Sequence, residues 1–213
     1  DIYLNLPKIK RKSYVRRDYI SPIKIILASS SPYRKALLER LQLEFSTESP
    51  NIDEESLEGE SIKNYVVRLA EAKAKHVATK HAKSIVIGSD QALECDGKIL
   101  GKPGSHEIAK QQLMAMSNMT LLFYTGLCVF DSSTDKSEKD VIIYRVSFRK
   151  LGEEEIEDYL HKEQPYNCAG SFMSERLGVS LMSKMQGEDP TALIGLPLIR
   201  LCEMLRNLGV KLP

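Results

Sequence analysis

The sequence predicts an α/β domain, a mixed and twisted sheet with flanking helices whose two lobes enclose a cleft. Three observations predict it. After Pro22, short β-branched runs alternate with stretches whose apolar residues recur at helical spacing, the pattern of an α/β chain rather than of a sandwich or a bundle. No fixed-period repeat interrupts the alternation. A chain of 213 residues, 42% hydrophobic and 28% charged, can bury a real core as one domain or a compact two-lobed unit, which excludes disorder throughout.

Each element has a local reason. Residues 23–28 read as a buried strand, and Ser31 and Pro32 then supply an N-cap and a first-turn proline for a helix through Arg40,. Residues 29–34 are therefore a strand-to-helix turn. Residues 51–60 form an acidic loop, after which Ser61 caps a helix carrying Val66, Leu69, Ala70 and Val77 on one face, with Lys73 on that same face,. Residues 84–88 are a second apolar strand. It delivers Ser89, Asp90 and Gln91 just past its carboxyl end, where open α/β sheets place their ligands,.

Asp96-Gly97 is a two-residue hairpin turn between residues 93–95 and 98–100,. Residues 105–116 read as a helix through Ile108, Ala109, Gln112, Leu113 and Met116, followed by a strand over 121–130 and a polar surface turn over 131–140,. Residues 141–149 alternate Tyr144, Val146 and Phe148 with Arg145, Ser147 and Arg149, a strand with one wet face,. Residues 153–162 are a short helix with acidic side chains in its first turn, where the dipole favours them,. A core-facing helix over 197–207, with Leu198, Leu201 and Leu205, ends at Gly209,.

Charge and cysteine usage narrow the function classes. Thirty Lys and Arg against 29 Asp and Glu leave a net charge of +1, without the excess basicity of a dedicated nucleic-acid binder. Any charged site is local. Cys95, Cys128, Cys168 and Cys202 lie far apart, with no C-x-x-C pair and no zinc spacing to a histidine, which fits a reduced cytoplasm. The longest apolar runs fall well short of the roughly 20 residues of a membrane span, so no membrane partner is expected. Residues 1–22 stand apart as a basic extension, with Lys8, Lys10, Arg11, Lys12, Arg16 and Arg17 against Asp1 and Asp18. It reads either as a solvated tail or as an arm for RNA or acidic lipid. The domain proper spans 23–213.

Four features carry chemistry. Ser29, Ser30, Ser31, Pro32, Tyr33 and Arg34 bring hydroxyls, a guanidinium and helix-start N–H groups together, either as a simple cap or as an anion site,. Lys73, on an apolar stripe, either snorkels to water or meets a buried anion. Asp53-Glu54 and Asp90 stand at loop edges able to converge on a hard cation that also takes phosphate oxygens; the bland reading leaves Asp53 and Glu54 solvating a loop,. Gly101-Lys102-Pro103 holds a lysine directly after the hairpin,. Together they form a kit for gripping a polyphosphate with a metal and activating a water.

In that order these residues resemble the Maf family of nucleoside triphosphate pyrophosphatases, over residue 23 to the C-terminus. Ile26-Leu27-Ala28-Ser29-Ser30-Ser31-Pro32-Tyr33-Arg34 is similar to the family's opening signature, Asp53-Glu54 to its acidic pair and Glu71-Ala72-Lys73-Ala74 to its helix lysine. Ser89-Asp90 resembles its central aspartate, Leu100-Gly101-Lys102-Pro103 its lysine turn, and Gly195-Leu196-Pro197 also agrees. The resemblance implies an inosine-triphosphatase-like fold and cleavage of a nucleoside triphosphate between its α and β phosphates, with a divalent metal such as magnesium, manganese or cobalt. It implies Asp90 as the proton acceptor, Glu54 and Asp90 as metal ligands, and Ser29, Arg34, Lys73 and Lys102 as phosphate ligands. A homodimer is implied as well.

Three positions resemble one branch of the family. The branch that prefers dTTP and UTP has Arg after Ser-Pro, Thr after the aspartate and a later Gln, where this chain has Tyr33, Gln91 and Glu175. That set is similar to the YceF-type branch acting on 7-methyl-GTP, although Trp is commoner than Tyr at the first position. N7-methylation makes guanine cationic, so an aromatic face at Tyr33 suits stacking and Glu175 suits its N–H donors and its charge. Gln91 is placed to read a base edge. Alternatives are a dTTP/UTP pyrophosphatase or a nucleotide-binding regulator of cell division.

Overall fold

The structure, a computed structural model, describes residues 23–213, so the basic extension of residues 1–22 lies outside the described residues. A seven-stranded mixed sheet forms the centre, in the order β2 (Phe45–Glu48), β1 (Lys24–Ala28), β3 (Ser84–Cys95), β5 (Thr120–Asp131), β6 (Lys136–Phe148), β7 (Met182–Gln186). A short β4 (Lys98–Leu100) hangs on β3. The first three strands run parallel and the rest pair antiparallel, so β3 is the seam between the two modes.

The local signals place the helices. Ser31 Oγ accepts from Arg34 N at the start of α1 (Pro32–Glu39), Ser61 Oγ from Asn64 N at α2 (Ile62–Ala78), and Ser105 Oγ from Ile108 N at α3 (His106–Met116). Each cap satisfies an N–H that the first helical turn cannot pair. Three glutamates open α4 (Glu153–Glu163), and α5 (Leu198–Asn207) follows Pro197 and precedes Gly209 at φ +84°. Asp96 and Gly97 both have positive φ, 50° and 72°, as a type I′ hairpin turn requires.

Two expectations need correction. Ser89, Asp90 and Gln91 do not follow the end of a strand; they lie in the middle of β3. Parallel pairing with β1 stops at Leu27 opposite Ile87, but the antiparallel ladder with β5 continues to Leu93 opposite Phe123. Backbone pairing thus carries the strand through a polar stretch that interrupts its apolar pattern. The polar stretch 131–140 is likewise mostly strand: Asp131 pairs with Lys136, leaving four residues for the turn. The sheet edges β2 and β7 were not anticipated, being short and largely exposed.

Two cores form the lobes. One gathers Leu37, Leu38, Ile87, Leu127, Leu201 and Leu205 beneath α1 and α5, and the other gathers Leu113, Phe123, Val146, Ile156, Leu160 and Phe172 beneath α3 and α4. A third packs α2 across β1, β3 and β5 through Ile26, Ala70, Ala74, Val77, Val86 and Cys128. There the helix backbone rests on glycine: a Cβ on Gly88 would overlap the Ala70 carbonyl, and one on Gly126 the Val66 carbonyl. No helix among the described residues is long and apolar enough to cross a membrane, and the four cysteines are free thiols.

Candidate active site

The close approach of α2 to β3 decides where the chemistry sits. It sets Lys73, 5% exposed, directly over Asp90, 7% exposed. Lys73 Nζ lies 2.6 Å from Asp90 Oδ1 and 2.8 Å from Glu54 Oε1, the latter arriving from the acidic loop. An ammonium this deep is tolerable because two carboxylates meet it. Of the two readings of Lys73, the buried anion is the one the structure contains. Asp53 instead turns back on its own loop, accepting from Glu55 N at 2.9 Å.

The strand-to-helix turn supplies the neighbouring wall. Ser29 Oγ accepts from Ser31 N at 3.1 Å, and Arg34 Nη1 approaches the same oxygen at 3.5 Å. Arg34 Nε donates to the Gly195 carbonyl at 2.8 Å, which fixes the guanidinium plane on the cavity wall. Burial lowers the Arg34 pKa, opposed by Asp90 and Glu54; a guanidinium stays charged regardless. The buried Ser89 hydroxyl lies 2.9 Å from the Gly126 carbonyl and 2.8 Å from that of Gly195.

The segment bearing Gly195 is itself tied down. Asp189, 2% exposed, accepts from Thr191 N, Thr191 Oγ1 and Ile199 N at 2.9, 2.6 and 2.7 Å. It thereby holds the short 3-10 turn at Ala192–Ile194 and the start of α5 together. Gln91 spends its amide N–H groups on this turn, donating to the carbonyls of Ala192 and Leu193 at 2.8 and 3.0 Å. Only its Oε1 remains for a base edge, a narrower role than the sequence suggests.

The site is one cleft of 560 Å³, within the roughly 300–1,000 Å³ of small-molecule sites. Ser29, Tyr33, Arg34, Glu54, Lys73, Asp90, Gln91, Lys102 and Glu175 all line it, so the nine residues singled out from the sequence share one cavity. At the far end Tyr33 donates to Met173 Sδ at 3.2 Å; burial, and next a hydrogen bond with Cys168, push its phenol up to about 12. It stays neutral and keeps its ring on the cleft. Glu175 stands exposed at the rim, and Lys102 forms no ion pair among the described residues. Phe123 and Phe172, edge to face at 5.4 Å, belong to the same wall.

Glu54 and Asp90 suit a hard divalent ion. Both are carboxylates reaching one point, and Asp90 Oδ2 and Glu54 Oε2 accept no hydrogen bond from the described residues, as oxygen ligation requires. Tyr65, Cys168, Met173 and the Gly195 carbonyl escaped the sequence reading. Tyr65 donates to the Glu54 carbonyl at 3.0 Å, anchoring the acidic loop over α2. Its i, i+4 spacing to Leu69 on α2 was the available signal; Gly195 had been noted only within the matching Gly195-Leu196-Pro197, without its carbonyl's role.

Comparison with known proteins adds kinship to geometry. Residues 24–208 match the family described as Maf-like protein. A 7-methyl-GTP pyrophosphatase of Methylobacillus flagellatus is 52% identical over 186 residues, 87% of this chain and 97% of the relative. One from Nitrosococcus oceani is 50% identical over 189 residues, 89% and 95% of the two chains. Among solved structures, a HAM1 protein from Coxiella burnetii is 16% identical with a TM-score of 0.40, covering 61% of this chain and 74% of the other.

Proposed function

The chain belongs to the Maf family, and from that premise we propose that it is a nucleoside triphosphate pyrophosphatase that hydrolyses 7-methyl-GTP to 7-methyl-GMP and pyrophosphate. One observation carries the proposal: Asp90 and Glu54 converge on Lys73 in the same cleft that holds Arg34, Lys102, Tyr33 and Glu175. Carboxylates for a water and a cation, cations for phosphate, and an aromatic ring beside an acid for a positively charged purine thus share one cavity.

The geometry supports a role for each residue in this reading. Ser29, Arg34, Lys73 and Lys102 bind the triphosphate, with Arg34 presented by its bond to Gly195. Lys73 occupies Asp90 Oδ1, so Oδ2 is the oxygen that takes a proton from the attacking water,. As the new P–O bond forms at the α-phosphorus, the bond to the bridging oxygen breaks and pyrophosphate leaves against Arg34, Lys73 and Lys102. Glu54 and Asp90 would hold a divalent cation, magnesium, manganese or cobalt, which when bound supplies Lewis-acid charge at the phosphate oxygens. Tyr33 stacks on the cationic 7-methylguanine, Glu175 accepts its N–H donors and Gln91 Oε1 meets the base edge.

Purified protein assayed for pyrophosphate release on 7-methyl-GTP, GTP, dTTP and UTP, with each of the three metals, tests this. Preference for 7-methyl-GTP is expected, with Asp90→Asn lowering kcat by roughly 100-fold or more. Equal rates on dTTP and 7-methyl-GTP would overturn the assignment.

A further inference from the structure

A second cluster lies outside the cleft, where α3 meets α4. His106 opens α3, while Glu157 and His161 stand one turn apart on α4. Glu157 Oε2 is 2.8 Å from His106 Nε2 and 3.8 Å from His161 Nδ1. One ligand atom from each of the three falls within 4.8 Å of the others, the only such grouping of three or more among the described residues. We propose that His106, Glu157 and His161 form a binding site for a borderline-soft divalent transition metal, zinc first, separate from the catalytic cation.

The chemistry of the donors selects the metal. Two imidazoles and a carboxylate suit zinc, with a fourth position left to water, whereas magnesium takes oxygen ligands and keeps its waters. The surroundings resemble those of ligating histidines, whose second nitrogen is held by an oxygen. His106 Nδ1 is 3.0 Å from Tyr166 Oη, and His161 Nδ1 is 2.8 Å from the Glu157 carbonyl. His161 Nδ1 donates to that carbonyl and leaves its Nε2 as a free lone pair, whereas His106 Nε2 donates to Glu157 Oε2 in the metal-free protein and gives up that proton to a metal, with Nδ1–H then turned to the Tyr166 oxygen,.

Neighbouring charge accommodates the ion. Lys110 holds the other Glu157 oxygen, Oε1, at 2.8 Å and also pairs with Glu153 at 2.6 Å. It keeps a partner when Oε2 is drawn to a metal. Tetrahedral ligand atoms at zinc stand roughly 3.3 Å apart for bonds of about 2.0–2.1 Å, so the exposed His161 needs only to swing inward. Such an ion would staple two segments that lead into the cleft, since Gly104 N donates to the Tyr166 carbonyl at 2.9 Å. Lys102 precedes the first segment and Cys168 follows the second.

The test is zinc titration by calorimetry of chelator-stripped, tag-free full chain, with millimolar magnesium present to occupy the cleft carboxylates. One zinc per chain is expected in the wild type. His161→Ala and Glu157→Gln should each weaken it by at least roughly tenfold, while Asp90→Asn retains it. The His161 side chain is 72% exposed, so that variant keeps its fold, as circular dichroism would verify. No zinc binding by the wild type, or wild-type affinity in His161→Ala and Glu157→Gln, would overturn the proposal.

Discussion

Lys73 and Asp90 are each too deep in the fold to stand alone. Breaking a buried pair by removing one partner costs about 3–5 kcal/mol, and each 1 kcal/mol lowers Tm by roughly 2–4 °C in a chain of this size. Lys73→Ala is therefore expected to lose activity and to melt at least about 6 °C lower, read by calorimetry. Glu175 presents the opposite case. Exposed at the rim, it can change to Gln with stability held within about 0.5 kcal/mol, while the preference for 7-methyl-GTP over UTP drops about tenfold, or about 1.4 kcal/mol. An unchanged preference would remove Glu175 from base selection. Tyr33→Leu should weaken 7-methyl-GTP by about 0.5–1 kcal/mol and leave UTP alone, as competition binding would show. That these side chains share one cleft was anticipated through the family resemblance, since the residue pattern alone left a helix cap, a snorkelling lysine and solvated acids as alternatives. Their anchors were not: the Gly195 carbonyl and the Met173 sulfur act through atoms that no residue-level pattern advertises.

At the scale of elements, α2 is the part on which the site depends. Its Val66 and Ala70 carbonyls face Gly126 and Gly88 with no room for a methyl group between. Gly88→Ala must push the helix outward and lift Lys73 from Asp90. Overpacking of this kind costs about 1–3 kcal/mol, so the variant should both melt earlier and lose kcat, the second effect exceeding what its Tm explains. The caps at Ser31 and Ser61 and the Asp96-Gly97 turn were readable because each is a local bargain between a residue and its own backbone. The full length of β3 was not, since Ser89, Asp90 and Gln91 put polar side chains where the strand pattern would have put apolar residues,. Strands β2 and β7 lie at sheet edges and bury too little to impose alternation.

Across the whole molecule, the parallel and antiparallel halves of the sheet share β3, and distant surfaces tie in the outer elements. Glu48, at the end of β2, is drawn down to about 2, first by its hydrogen bond to His81 and then by Lys80, both beyond the end of α2. A carboxylate depressed in the folded state contributes stability above its unfolded pKa, near 4.3, and loses it as pH falls through the folded value. Thermal unfolding between pH 5 and about 2 should accordingly show an acid-side decline that Glu48→Gln flattens. The mixed sheet was legible from alternating periodicities, but which strands pair antiparallel was not, because β3 meets β5 across β4 and α3, a long-range choice. The bonds from Arg34, Ser89 and Gln91 to carbonyls of residues 192–195 each reach across more than 100 residues of the chain. On the ribosome, therefore, the opening signature emerges early yet waits: a nascent polypeptide cannot aim its arginine at a nucleotide until the last stretch before α5 has left the exit tunnel.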